Sequence, residues 1–240
     1  MSNPKDYPSV DQYPISKRWP AKHPEILQLY SLGTPNGVKI SIALEELQIP
    51  YEAHRVTLAA SDVKSEEYLS LNPNNKIPAI IDPHGPEGTP IGLFESGAIL
   101  VYLAEKTGKL MGNNTTEKAK VLQWLMFQVG GVGPMIGQLG YFHAFAGSEI
   151  EDPRPKQRYI NEAKRLLNVI ETQLEGQEWI AGDFSIADIA LVPWLDTIER
   201  VYRAGDETKI AEFKQVTSYI NRFNQRPSVQ KGWSNPAKAA

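Results

Sequence analysis

The chain has 240 residues, 41% of them hydrophobic and 22% charged, with a formal charge of −3 and no cysteine. That length fits one large domain or two small ones, and the composition supports a packed core rather than chain-wide disorder. The acidic balance argues against a nucleic-acid binder, and the missing cysteine excludes disulfide scaffolds, Cys-ligated zinc, iron–sulfur clusters and a protein thiol nucleophile. Any thiol chemistry must therefore be brought in by a ligand, which fits a reducing, cytoplasmic setting.

Residues 1–24 have no apolar core segment, so they do not read as a secretory signal. No run approaches the length of a membrane helix. Five prolines (Pro4, Pro8, Pro14, Pro20, Pro24) predict an extended arm over 1–24 rather than a helix. Either it is a loose tail, or Tyr7, Tyr13 and Trp19 bury it against the body or a second subunit.

From Glu25 the pattern changes. Ile26, Leu27, Leu29 and Tyr30 predict a strand, and Gly33-Thr34-Pro35-Asn36-Gly37 a turn. Ile40, Ala43, Leu44 and Leu47 form a helical stripe that stops before Pro50. Tyr51 to Leu58 reads as a second strand, so the unit is β-α-β with parallel pairing. A short helix over Glu66 to Leu71, a strand over Ile77 to Asp82 and a strand over Ile91 to Phe94 follow, the last two as a hairpin. Ser96 is read as the N-cap of a helix that closes at Gly108.

After Gly108 the strand signals stop. Thr115 caps a helix whose face is Leu122, Leu125, Met126 and Val129, with a kink expected at Gly130-Gly131-Val132-Gly133-Pro134. Helices are expected over Pro153 to Leu174 and from Ser185 to Val201, the second opened by a capping box of Ser185 and Asp188. Ile210, Phe213, Val216, Ile220 and Phe223 form a last stripe. The expected fold is α/β followed by all-α: an arm over 1–24, a thioredoxin-like domain over 25–107 and an all-helical domain over 115–240.

Asn75-Lys76-Ile77-Pro78-Ala79, Phe94-Glu95-Ser96-Gly97-Ala98-Ile99 and Ser185-Ile186-Ala187-Asp188-Ile189-Ala190 resemble the glutathione transferase family in spacing. Thr34-Pro35-Asn36-Gly37, Gln123-Trp124 and Val129 to Met135 narrow the resemblance to the bacterial nu class and the fungal branch containing the yeast nitrogen-regulator prion. It covers about Glu25 to Trp233 and leaves out only the arm.

The resemblance implies that glutathione binds and that the protein stabilises its thiolate. A free thiol titrates near about 8.5, so the anion is a minority at neutral pH. Thr34 and Asn36 stand between the first strand and first helix, where a helix N-terminus offers N–H groups and positive dipole character. They are the candidate catalytic residues. Without a ligand, the same residues read as a capped turn. Tyr30, the rival by analogy with tyrosine-type enzymes, lies inside the apolar run and reads as core.

Pro78 is implied to be cis, leaving Ile77 to pair with the cysteinyl backbone of glutathione. Lys76 is the candidate partner of the glycine carboxylate. Ser96 and Glu95 are the candidates for the γ-glutamyl carboxylate and ammonium. Arg158, in the first turns of its helix, is implied to approach a second glutathione. Tyr141, Phe142, His143 and Phe145 form an aromatic cluster for a second site or a dimer interface; His143 reads as packing or as a base. No metal site, nucleic acid or membrane is expected.

Three readings follow. The first is a glutathione-dependent disulfide oxidoreductase that takes two glutathiones, or one glutathione disulfide. The second is a transferase conjugating glutathione to electrophiles. The third is a non-catalytic regulatory protein on the same fold. The family implies a homodimer. Residues 25–107 carry 5 Lys/Arg and 11 Asp/Glu, so the proposed glutathione domain is itself acidic.

Overall fold

Strand β1 (Leu27–Ser31) is buried at every position, as a central strand with helices behind it must be. The computed structural model describes residues 7–147 and 149–236. In it β1 pairs in parallel with β2 (Tyr51–Arg55) and antiparallel with β3 (Ala79–Asp82), which pairs antiparallel with β4 (Ile91–Phe94). The order is β2-β1-β3-β4. Helix α1 (Pro35–Leu47) makes the crossover between β1 and β2. Short helices α2 (Ala60–Val63) and α3 (Glu66–Leu71) lead to β3, and α4 (Ser96–Thr107) follows β4 and packs against α1. The third strand starts at Ala79 rather than Ile77, because the ladder begins at the pairs Tyr30–Ala79 and Ala79–Phe94.

Contacts divide the chain into two compact units, one running to Gly108 and resuming at Pro227, the other Lys109–Arg226. The second unit contains α5 (Thr115–Phe127), α6 (Gly133–Gly140), α7 (Pro153–Gln173), α8 (Ile186–Arg200), α9 (Gly205–Thr208) and α10 (Lys214–Asn224). The expected kink is a π-helical stretch, Gln128–Val132, with another at Tyr141–Phe145. Pro134 has no N–H and its ring crowds the carbonyl four residues back, so the ladder widens there without breaking. The inner face of α5 is Val121, Trp124 and Leu125, not the predicted stripe, and Met126 is exposed. The stripe from Ile210 to Phe223 is split into a 3₁₀ turn (Ile210–Glu212) and α10.

The capping box forms as read. Asp188 is fully buried and accepts from Ile180 N, Ser185 N, Ser185 Oγ and Tyr219 Oη at 2.9, 2.8, 3.1 and 2.7 Å. Burial pushes its carboxyl above the usual range while these donors oppose the shift. It is a structural group.

Two expectations change at the chain ends. Helix α11 (Pro227–Trp233) belongs with the first unit, not with the helical residues before it. It lies against α1: a Cβ on Gly232 would stand 2.6 Å from Ile42, so only glycine permits the approach. Ser41 Oγ donates to Gly232 O at 2.7 Å, and Lys231 pairs with Glu45 at 2.6 Å.

The arm, as far as it is described, is not extended. Val10–Gln12 and Pro14–Lys17 are 3₁₀ turns, and Pro14 occupies a first helical position, where its missing N–H costs nothing. Val10, Tyr13 and Ile15 are buried with Tyr30, Tyr68, Ile77 and Ala79 on one sheet face. Trp19 Nε1 donates to Arg55 O at 3.2 Å, Arg18 pairs with Asp62 at 2.7 Å, and the Glu52 carboxylate accepts from Lys22 N and His23 N. The arm is thus core to the first unit. Ile15→Ala should destabilise the protein by about 2–5 kcal/mol, the loss of a central core side chain. Thermal or denaturant unfolding measures it; a loose arm would give no change.

Candidate active site

The turn after β1 is tight. A Cβ on Gly37 would stand 1.9 Å from Leu32 O, so glycine is required where α1 starts beneath the strand end. Thr34 is the N-cap, and its Oγ1 accepts from Gly37 N at 3.3 Å. Pro35 follows at the first helical position. A hydroxyl has one donor and two acceptor sites, so this cap leaves the Thr34 O–H to donate elsewhere.

Asn36 Oδ1 accepts from Lys39 Nζ at 2.8 Å. The same Nζ lies 3.3 Å from Ser96 Oγ at the start of α4. Lys39 is 1% exposed, and burial lowers its amine to about 7, opposed by the Glu95 charge. Lys39 was not singled out from the sequence. Its signal was there: a lysine one helical turn after Asn36 and four residues before Ala43, on the face that carries the apolar stripe.

Ser96 is the first residue of α4, not its cap; Glu95 is the cap, at φ 71° and ψ 110°. A non-glycine residue there stores strain of order 1–3 kcal/mol, and such strain concentrates at ligand sites. Ser96 is buried and Glu95 exposed. Asn74, also missed in the sequence, donates from Nδ2 to Glu95 Oε1 at 3.4 Å.

The Ile77–Pro78 bond is cis. Lys76 is exposed and Ile77 buried. The carbonyl of Lys76 accepts from Tyr68 Oη at 2.7 Å and from Asn72 Nδ2 at 2.5 Å, which fixes the loop before β3. Tyr30 is fully buried, stacked on His54 at 4.7 Å between ring centroids. Burial drives its hydroxyl far above the usual tyrosine range, so it is a core residue.

The first unit therefore brings Asn36 and Ser96 together through Lys39, with Thr34 two residues from Asn36. It links Glu95 through Asn74 to the Lys76–Pro78 loop. The other three candidates lie in the second unit. Arg158 is exposed and lines a cleft of about 590 Å³ with Met135, Tyr159, Asn161, Glu162 and Arg165. Tyr141 is exposed and meets Phe142 edge-on at 5.1 Å. His143 Nδ1 is buried, 3.6 Å from Glu207 Oε1, too far for a hydrogen bond; this is a packed histidine beside an acid. Among the described residues no cluster of three or more acidic or histidine side chains is disposed to hold a metal, and no helix is long and apolar enough to cross a membrane.

Residues 34–106 match the glutathione S-transferase N-terminal domain family and residues 135–227 the C-terminal domain family. Disulfide-bond oxidoreductase YfcG of Escherichia coli K12 is 43% identical over 207 residues, covering 85% of this chain and 93% of that one. A glutathione transferase from Pseudomonas putida, solved with one glutathione disulfide per subunit, is 54% identical at a TM-score of 0.93, covering 95% and 99%. One from Burkholderia graminis, solved with two glutathione molecules per subunit, is 54% identical at a TM-score of 0.94, covering 98% of each chain.

The Lys39 amine makes stability depend on pH. Its pKa is lowered to about 7 on folding, so between that value and its unfolded one the unfolded chain binds the extra proton. Its contribution therefore rises as pH rises above 7. Lys39→Met should be at least as stable as the parent at pH 6–7, and the parent should gain on the variant toward pH 10. Paired denaturant titrations at several pH values measure the difference.

Proposed function

Because the chain belongs to the glutathione S-transferase family, we propose that it is a glutathione-dependent disulfide-bond oxidoreductase of the nu-class type. The observation that carries this reading is the meeting of two helix N-termini, those of α1 and α4, through Asn36, Lys39 and Ser96. Backbone N–H groups and dipoles at such ends favour anions, and glutathione offers a thiolate and a γ-glutamyl carboxylate. The relatives solved with glutathione disulfide or with two glutathiones support a site for two glutathionyl units.

In this reading Thr34 Oγ1–H and the Asn36 amide hydrogen-bond the sulfur of the first glutathione. Each favours the anion over the thiol and so lowers its pKa. Ser96 and the start of α4 hold the γ-glutamyl carboxylate, and Glu95 the ammonium beside it. Ile77 pairs with the cysteinyl backbone, and Lys76 meets the glycine carboxylate as a point charge. Arg158 serves the second glutathionyl unit, and Tyr141 and His143 are the further second-site candidates in the same helical unit.

The thiolate attacks one sulfur of a substrate disulfide. A glutathionyl–substrate S–S bond forms, the old S–S bond breaks, and the departing thiolate takes a proton. The second glutathione, as thiolate, attacks the glutathionyl sulfur of that mixed disulfide. Glutathione disulfide forms and the second substrate thiol leaves, so two glutathiones are oxidised and one disulfide is reduced. With no cysteine in the chain, no sulfur of the protein takes part.

Conjugation to electrophiles uses the same thiolate but calls for an apolar second site; the polar side chains Arg158, Asn161, Glu162 and Arg165 in the cleft on α7 favour the disulfide. We also read the protein as a homodimer, as the family resemblance implies, and as cytoplasmic, which the absence of cysteine fits. Reduction of 2-hydroxyethyl disulfide by glutathione should proceed well above blank and faster than conjugation of a chlorinated nitrobenzene. Asn36→Ala should cut disulfide turnover roughly 10–100-fold with the circular dichroism unchanged. Thr34→Ala should lose activity and about 1 kcal/mol of stability, while Thr34→Ser keeps both. No turnover by folded protein, or full activity in Asn36→Ala, sinks the reading.

A further inference from the structure

Resting on that reading, we propose that Lys39 is a positioning residue for the reaction: from beneath the site it fixes the Asn36 side chain against the start of α4, so that the amide turns its N–H donors to the glutathione sulfur. The argument begins with what a lysine can offer. A protonated amine has three donors and no acceptor. Lys39 Nζ meets Asn36 Oδ1 at 2.8 Å, so rotating the amide by half a turn would set NH₂ against a donor. The carboxamide oxygen is thereby held toward the interior, and the nitrogen lies on the opposite edge of the group. Of the two ends of the amide, the oxygen repels a thiolate and the N–H donors attract it, so a contact that holds the oxygen favours the productive orientation.

The second contact fixes the amine itself. Nζ lies 3.3 Å from Ser96 Oγ, and the side chain is fully buried, which restricts its stem. Lys39 thus spans α1 and α4, tying the residue proposed for the sulfur to the residue proposed for the γ-glutamyl carboxylate. Glu95, at the cap of α4, is the charged group acting on the amine. A bound anion adds to that field and favours the protonated, donor-only form. The residue touches no reacting atom; it acts through Asn36.

A double-mutant cycle tests this, with Lys39→Met made in the parent and in Asn36→Ala. Each folded protein is assayed for glutathione-dependent reduction of 2-hydroxyethyl disulfide, as kcat across a pH series. Lys39→Met alone should lower kcat at pH 7 about tenfold and move the acidic limb of the profile up by about one pH unit, because the bound thiol is less readily ionised. In Asn36→Ala the same change should add less than about twofold and no further shift of the limb. A loss under twofold in the parent, an unmoved limb, or an undiminished tenfold loss on top of Asn36→Ala overturns the proposal. Should Lys39→Met fail to fold, Lys39→Gln takes its place in the cycle under the same criteria. Full activity in Asn36→Ala alone would instead remove the reading of the site on which the proposal rests.

Discussion

An acidic unit proposed to receive an anion cannot draw it in with its net field. Residues 25–107 carry 5 basic and 11 acidic side chains, and the ligand of the family is a tripeptide anion. Attraction must come from dipoles and single donors placed within a few ångströms, where they act before the surrounding carboxylates are felt. In the proposed reading two helix N-termini supply this, and they must be held together. Lys39 does so at the floor, while Glu95, in a strained cap conformation, turns the chain into α4. Even the buried cation is tempered. Desolvation brings its amine down to about 7, so near neutral pH it is not a full fixed charge, and a bound anion would favour its protonated form.

The rest of the first unit keeps that geometry still. The loop before β3 is tied at Lys76 O by Tyr68 and Asn72, and Tyr68 sits on α3. Helix α3 in turn packs on the arm turn Pro14–Lys17, in the cluster that includes Ile15, Tyr68 and Ile77. The far end of the arm is therefore two packing steps from the loop proposed to meet the glutathione backbone. On the other side of the sheet, α11 closes against α1 at Gly232. The described arm and α11 thus brace the unit that carries the candidate site; burial of the arm against the body is one of the two readings its aromatic residues offer in the sequence, whereas α11 reads with the helical domain.

What was legible was local. The β-α-β unit, the hairpin and the capping box at Ser185–Asp188 each rest on residues a few positions apart, and all formed as read. The arm is not the extended segment its prolines predict, but its aromatic residues do pack it against the body, the second of the two readings of 1–24. The place of α11 depends on a contact between Ser41 and Gly232, 191 positions apart, which no periodicity records. Lys39 was overlooked for a different reason. A lysine is ordinarily read as solvated surface, and only its position on the apolar face of α1 marked it as buried.

The turn at Thr34 shows why the structural and chemical readings of a motif need not compete. As a plain cap, Thr34 satisfies the N–H of Gly37 and asks for no ligand. As a thiolate partner, it must donate. The cap uses a lone pair and the ligand would use the proton, so one hydroxyl serves both at once. The same holds for Asn36, whose oxygen is taken by Lys39 while its nitrogen lies on the other edge of the amide. A threonine or an asparagine that folds the turn is thereby already oriented, and the structural contact would decide which atom it offers to the proposed glutathione sulfur. For Ser96 the order differs. It is not the cap of α4, so its hydroxyl is not needed to start the helix, and its contact is with the lysine beneath. In the proposed reading stability and chemistry would thus be coupled at Thr34 and separable at Ser96, because Thr34 is the cap of its helix and Ser96 is not.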